Sequence, residues 1–415
     1  MSTTAVLGCV WGDEAKAKIV DVLAVDADYV VRFQGGNNAG HTIWLKDEKY
    51  VFHLVPSGIL YPGKTCILSS GTVIDPFELI KEIDALKEKG ISFRDRFFID
   101  PRAHIVLPIH RELDGKCEAD DNQTLIGTTK RGIGPCYADA IARVGIRFGD
   151  LFEKENLTQR LQNLFSYHKY TVENLDKQVT DLMEIGTRLG SYLKQISYLL
   201  HKNNDKNILF EGAQGSLLDV NFGTYPFVTS SHTVVGGIPI GSGFGGKVDR
   251  VVGVFKSYFT RVGEGPFPTE LFDEIGERIR KQGNEFGSTT GRPRRCGWFD
   301  AVAAQFTAMI NNLDEIALTL LDVFSGLETL KICIGYRLNG EKISEFPYNS
   351  NDLTKVEPEY IELPGWKDDI TGIREFEKLP VNAKNYVTTI EELLGIDISI
   401  ISIGPDREQT IFRKK

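Results

Sequence analysis

The sequence predicts an α/β protein with a large, mostly parallel central sheet and crossover helices, and three observations carry that prediction. Short apolar runs alternate with helical periodicity over residues 1–100. The first run, Ala5 to Leu7, breaks at Gly8 and leads through Gly12 into a stretch whose apolar positions Ile19, Val20 and Leu23 recur at helical spacing. Apolar runs of strand length return throughout the second half of the chain.

Beyond that first helix, Tyr29 to Arg32, Tyr50 to Leu54 and Thr65 to Leu68 read as strands and Pro76 to Lys87 as a helix. From Glu112 to Lys202 the pattern is mostly helical and charged around the glycine-rich stretch Ile126 to Tyr137. A helical insertion over about 105–202 is therefore expected. Strands are expected again at Asn207 to Phe210, Val251 to Phe255, Glu315 to Leu321 and Ile332 to Tyr336. The stretch 339–366, rich in Pro, Asn and Glu, predicts an exposed excursion, and Ile396 to Ile403 a last strand. No internal repeat is found, and the length suits one large α/β domain with insertions or two to three lobes, of which a single domain over residues 1–415 is expected.

The chain's 415 residues, 41% hydrophobic and 25% charged, have the composition of a globular enzyme. A net charge of −9 supplies no basic field for nucleic acid. No run approaches the roughly 20 apolar residues that span a bilayer, and Met1 to Ala5 lacks the basic, apolar character of a leader. Six cysteines are scattered without a C-x-x-C pair, which disfavours disulfides and zinc. The expectation is a reduced, cytoplasmic enzyme that binds neither nucleic acid nor membrane.

Two loops carry most of the chemistry. The segment Gly8-Cys9-Val10-Trp11-Gly12-Asp13-Glu14-Ala15-Lys16-Ala17-Lys18 is a strand-to-helix turn, which aims free N–H groups and a positive helix end at an anion. Lys16 and Lys18 suit phosphate, while Asp13 suits a helix cap, a base or a magnesium ligand. The segment Gln34-Gly35-Gly36-Asn37-Asn38-Ala39-Gly40-His41-Thr42 brings a histidine whose near-neutral pKa suits general acid work or an oxyanion. The remaining histidines show no metal-binding spacing.

Three further clusters follow. Gly127-Thr128-Thr129-Lys130-Arg131-Gly132-Ile133-Gly134-Pro135, with Arg143 and Arg147 downstream, fits either a phosphate monoester clamp or a solvated turn. Glu211-Gly212-Ala213-Gln214-Gly215 and Val228-Thr229-Ser230-Ser231 place amides and hydroxyls at strand ends, for a neutral ligand such as a purine or equally for loop capping. Ser288-Thr289-Thr290-Gly291-Arg292-Pro293-Arg294-Arg295 is a natural binder of two carboxylates, on a loop able to close over a dicarboxylic substrate. Gly241 to Lys247 approaches a P-loop, but Val248 replaces the magnesium-binding hydroxyl, so it reads as a turn.

Taken together, these motifs resemble the adenylosuccinate synthetase family along essentially the whole chain. The agreement runs from Trp11-Gly12-Asp13-Glu14 through Asn38-Ala39-Gly40-His41-Thr42, Gly127 to Gly134, Glu211 to Gly215, Gly263 to Glu270 and Gly283 to Gly287, to Ser402-Ile403-Gly404-Pro405-Asp406. The resemblance implies a P-loop-NTPase-like synthetase fold with helical and loop insertions. It implies a homodimeric ligase of AMP biosynthesis that joins IMP and L-aspartate using GTP and one Mg2+ per subunit. Asp13 would take the N1 proton of IMP so that the 6-oxygen attacks the γ-phosphate, with His41 on the oxygen side and Lys16 and Gln214 assisting. Aspartate's amine would then displace phosphate from the 6-phosphoryl intermediate.

By the same resemblance, Asp13 and the Gly40 carbonyl are the magnesium ligands. Asn38, Thr129, Gln214, Thr229 and Arg292 bind IMP, with Arg143 reaching in from a second subunit. GTP would meet Gly12, Asp13, Glu14, Ala15, Lys16, Ala17 and Lys18, then Gly40, His41, Thr42 and Arg294. Its base would meet Leu320, Leu321, Asp322, Ser402, Ile403 and Gly404. Aspartate would meet Ser288, Thr289, Thr290, Gly291, Arg292, Pro293 and Arg294. Two other readings remain at this point: a paralogue with altered nucleotide choice, and a nucleotide-binding homologue without turnover.

Four positions depart from the family pattern. Ala15 and Ala17 replace two glycines, Leu320 replaces a lysine and Val10 a glutamine. In ordinary helix an alanine in place of glycine stabilises by roughly 0.4–1 kcal/mol. In a left-handed backbone it costs roughly 1–2 kcal/mol.

Overall fold

The computed structural model describes residues 2–45, 48–119, 125–203, 205–287 and 291–413. Its centre is a sheet of nine strands: β1 (Thr3–Gly8), β2 (Tyr29–Arg32), β3 (Thr65–Leu68), β4 (Phe97–Ile99), β5 (Ile208–Glu211), β6 (Arg250–Lys256), β7 (Glu315–Thr319), β8 (Ile398–Ser402) and β9 (Thr410–Phe412). The spatial order is β9-β8-β7-β6-β1-β5-β2-β3-β4, and every pairing is parallel except β8 with β9. A parallel sheet needs both faces covered, and the strands show it. Ala5 and Leu7 join one apolar cluster while Val6 between them joins another, and Val31 and Val30 divide the same way.

Between 105 and 202 the described residues form the helices Pro108–Cys117, Ile133–Ala142, Lys154–Tyr167, Leu175–Leu189 and Ile196–Lys202. Leu157, Leu161 and Leu164 recur on one face and are fully buried, joining the cluster beneath β2 and β3. Among the described residues no helix is long and apolar enough to cross a membrane.

Several elements differ from expectation. The strand expected at Tyr50 to Leu54 is Glu48–Phe52, paired with His41–Leu45 in a separate antiparallel hairpin. Ile332 to Tyr336 lies within Thr329–Leu338, which belongs to a second sheet with Phe299–Asp300, Glu341–Ile343 and Glu357–Pro364. The stretch 339–366 is thus folded into that small sheet, whose partly solvated strands lack the continuous apolar signature of β1 or β5. The short edge strands β4 and β9 went unpredicted, because three residues are too few to display a period.

Candidate active site

A cleft of about 650 Å³ opens at the carboxyl ends of the parallel strands, where open α/β sheets place their ligands. Gly8, Arg32, Glu211, Lys256, Thr319 and Ser402 end β1, β2, β5, β6, β7 and β8, and the loops that follow them carry the candidate residues. Gly12, Asp13, Ala15, Lys16, Ala17, Asn38, Gly40, His41, Thr42, Thr129, Gln214, Thr229, Arg294 and Leu320 all line the cleft. Glu14, Lys18, Arg143, Gly291, Arg292, Pro293, Leu321, Asp322, Ser402, Ile403 and Gly404 are not among its lining residues.

The loop after β1 closes on an anion of its own. Val10 N and Gly12 N donate to Glu14 Oε1 at 3.0 and 2.8 Å, and Lys16 Nζ lies 2.6 Å from Glu14 Oε2. The space is tight enough to require glycine at 215, where a Cβ would stand 2.4 Å from Val10 O and 2.6 Å from Glu14 Oε1. Asp13 is not the cap of the following helix: Lys16–Leu23 starts after a left-handed Ala15 (φ 63) with no side-chain cap. The two alanines therefore differ. Ala15 carries the left-handed penalty, whereas Ala17 sits in regular helix.

Asp13 is also left-handed (φ 61), which turns its carboxylate away from the helix and toward Arg294, whose Nε is 2.8 Å from Oδ2. Arg294 Nη1 donates to Glu285 Oε2 at 2.7 Å, while Glu285 Oε1 accepts from Lys256 Nζ and Tyr258 Oη at 2.7 and 2.6 Å. Burial works against ionising Asp13, but Arg294, Lys256 and Lys16 outweigh it and hold its carboxyl below the usual range.

His41 opens its hairpin strand with its ring buried. Nδ1 lies 2.5 Å from Glu211 Oε1, and Glu211 Oε2 accepts from Ser57 N and Oγ, both at 3.1 Å. Burial lowers the His41 pKa, and the hydrogen bond and charge of Glu211 oppose that fall. Beside it, Gln214 Nε2 donates to Asn38 Oδ1 at 3.2 Å, while Gln214 Oε1 is buried without a partner among the described residues.

The loop carrying Thr129 is shaped from below by two acids. Glu118 accepts from Ile126 N and Gly127 N at 3.2 and 3.1 Å, and Asp114 from Thr128 Oγ1 and Gly132 N at 2.9 and 2.8 Å. Arg143 stands exposed in a left-handed cap (φ 67) at the end of Ile133–Ala142, next to the 84% exposed Ile141.

Lys18, expected at phosphate, instead ties the first helix to the loop after β8. Its Nζ donates to Ser402 Oγ, Gly404 O and Gln409 O at 2.7, 2.6 and 2.9 Å. Burial pushes its pKa down to about 7 against the opposing charges of Asp322 and Asp406. Asp322 has a buried Oδ1 without a partner among the described residues, and burial raises its pKa against the pull of Lys18. Leu320 is left-handed (φ 57) at the start of that turn.

The three arginines of the 288–295 segment separate. Arg294 faces Asp13, Arg292 is exposed, and Arg295 is committed to structure: its Nε donates to Glu270 Oε1 at 2.7 Å and its Nη1 to Gly265 O at 2.8 Å. Ser288, Thr289 and Thr290 lie outside the described residues.

Sequence reasoning missed Glu211, Glu285, Lys256 and Arg261 as contributors. Glu211 and Lys256 carried a signal, since each is a charge directly after an apolar run at the ligand-bearing end of its strand. Glu285 and Arg261 carried none, because their contacts to Lys256, Tyr258 and Trp11 exist only in the folded chain.

Comparison with known proteins places the whole chain in one family. The adenylosuccinate synthetase family model matches residues 5–411. The adenylosuccinate synthetase of Heliobacterium modesticaldum is 51% identical over 422 residues, covering 99% of each chain. That of Alkaliphilus metalliredigens is 47% identical over 426 residues, covering 100% of both. A fully ligated adenylosuccinate synthetase structure from Plasmodium falciparum superposes with a TM-score of 0.94 at 40% identity, covering 100% of both chains. A cyanophage S-2L succinoaminodeoxyadenylate synthetase shares the fold, with a TM-score of 0.65 at 18% identity over 100% of this chain and 96% of that one. Matched over its whole length in this way, the chain belongs to the adenylosuccinate synthetase family.

Proposed function

We propose that this cleft joins IMP to L-aspartate at the expense of GTP, with Asp13 and His41 as the reacting pair. One observation carries the assignment: an ionised Asp13 and a Glu211-held His41 face the same cleft from neighbouring loops. A purine 6-oxo group is a poor leaving group, so the chemistry must first turn it into a phosphate ester. Asp13 removes the N1 proton as the 6-oxygen attacks the γ-phosphorus of GTP, and GDP leaves. The amine of aspartate then attacks C6, the C–O bond breaks, and inorganic phosphate departs.

Arg294 keeps Asp13 ionised and must release Oδ2 for the carboxylate to work as a base. Lys16 is poised to exchange Glu14 for a phosphate oxygen, which is why Glu14 serves as a resident counter-ion. Neutral His41 accepts at Nε2 when Nδ1 donates to Glu211. A phosphate anion favours its protonated form, and Glu211 balances that charge. The Asp13 carboxylate, 36% exposed, and the Gly40 carbonyl are hard oxygen donors at the cleft and fit magnesium. Bound there, the ion would offset negative charge on the transferring phosphoryl group.

Asn38, Gln214, Thr229 and Thr129 take IMP, and its phosphate is completed by Arg143 of a second copy in a homodimer. The exposed Arg143 outside its own cleft supports that arrangement. Asp322, Leu320 and the 402–404 loop take guanine, Arg292 and its loop take aspartate, and the enzyme works in the cytoplasm. The reading is tested by adenylosuccinate formation from IMP, GTP, magnesium and aspartate. Asp13→Asn and His41→Asn should each lose about 10²–10⁴ in kcat. Equal rates in either variant would refute its assigned role. No observation favours a non-catalytic homologue, since both reacting groups are present and held.

A further inference from the structure

We propose that Arg261, which has no place in the chemistry above, is a positioning residue for the IMP side of the cleft. Its side chain is 1% exposed, yet no described carboxylate hydrogen-bonds or pairs with it. The nearest acid on its own loop system, Glu270, is taken by Arg295, and the other neighbouring charges are Glu264 and Arg295 itself. A buried charge without an acid partner is costly, so what it holds instead is informative.

Arg261 holds three cleft loops at once. Its guanidinium lies 4.8 Å from the Trp11 ring centroid on the β1 loop and 5.8 Å from that of Phe227. Its Nη2 donates to Thr224 Oγ1 at 3.2 Å and Phe227 O at 3.4 Å, within the segment that leads to Thr229. Its Nη1 donates to Pro266 O at 2.5 Å, on the loop after Arg261's own strand. Trp11 Nε1 closes the ring of contacts by donating to the same Thr224 hydroxyl at 3.2 Å. Planar, multiply donating and able to stack, a guanidinium can join these partners where a lysine cannot.

The consequence is selective. The loops joined here lead to Thr229 and to the wall beside Trp11, whereas the Lys18–Ser402 tie on the guanine side is separate. Trp11 adjoins the loop assigned to GTP, but the hydrogen bonds of Arg261 fall on Thr224, Phe227 and Pro266, so Arg261 governs affinity for IMP more than affinity for GTP. Arg261 itself lines the cleft, and its fixed positive charge also favours an anionic ligand there. The proposal rests on the reading that Thr229 contacts IMP.

The test compares Arg261→Met, Arg261→Lys, Thr224→Val and Thr229→Val for kcat, for KM of IMP, GTP and aspartate, and for Tm. Arg261→Met should raise KM for IMP by about tenfold while KM for GTP stays within about twofold, with partial rescue in Arg261→Lys. Thr224→Val, which removes one strut without changing charge, should move KM for IMP the same way by less. An unchanged KM for IMP in folded Arg261→Met, or equal rises for IMP and GTP, overturns the proposal. If Arg261→Met does not fold, Thr224→Val decides: a selective rise supports the proposal and no rise overturns it. If Thr229→Val leaves KM for IMP unchanged, the reading beneath the proposal falls and takes it along, a result distinct from failure of the Arg261 variants alone.

Discussion

At the residue scale, the two alanines of the first loop make opposite predictions from one substitution type. Ala15 sits at φ 63, so Ala15→Gly relieves a left-handed side chain and should stabilise the protein by about 1 kcal/mol. Ala17 lies in regular helix, so Ala17→Gly should destabilise by about 0.5–1 kcal/mol. Denaturant titration of both variants checks the pair, and shifts of the same sign would contradict the backbone assignment. Glu211 makes a second residue-scale prediction. Glu211→Gln keeps the shape but removes the charge beside His41, so kcat should fall by about 10-fold or more with KM little changed. A fall in Tm without a change in kcat would make Glu211 merely structural.

At the scale of elements, the site depends on ties between loops that differ in sequence position by hundreds of residues. Lys18 binds the first helix to the loop after β8, so Lys18→Met should raise KM for GTP more than KM for IMP. Steady-state kinetics with each substrate varied would show it. Glu82 plays a comparable part for the segment ahead of Ser57, accepting from His53 N, Leu54 N and Val55 N. Burial raises its pKa from 4.5 to about 7, with the three backbone N–H groups opposing. Between those values the folded state binds more protons than the unfolded one, so this group's contribution to stability falls as pH rises from about 4.5 to about 7. The Tm of wild type should drop more steeply over that window than the Tm of Glu82→Gln. Parallel curves would contradict the raised pKa.

What the sequence made legible follows from this division. The strands β1, β2, β3, β5, β6, β7 and β8 could be read because both of their faces are buried, which leaves continuous apolar runs. Asp13, His41, Asn38, Gln214 and Thr229, singled out in glycine-punctuated loops after those strands, all line the cleft. In sequence, Lys18 reads as a phosphate ligand together with Lys16 because both flank the strand-to-helix turn. One helix places the two ammonium groups on opposite tasks, and only packing against Ser402 reveals it. Glu285 and Arg261 stayed hidden for the same reason, since their meaning lies in contacts to Arg294 and Trp11 rather than in local pattern.

At the scale of the molecule, the central sheet gathers chemistry from most of the chain at one edge, while Arg143 stands apart on the helical insertion. If Arg143 completes a neighbouring cleft, Arg143→Leu and Asp13→Asn should each be nearly inactive alone. Mixed together, they should regain activity through hybrid dimers that retain one intact cleft. The most direct test of the central claim is adenylosuccinate formation by wild type and Asp13→Asn, with GTP and magnesium present and aspartate either supplied or withheld. The account predicts aspartate-dependent product in wild type and a loss of about 10²–10⁴ in Asp13→Asn. GTP turnover indifferent to aspartate, or an Asp13→Asn enzyme as fast as wild type, would contradict it.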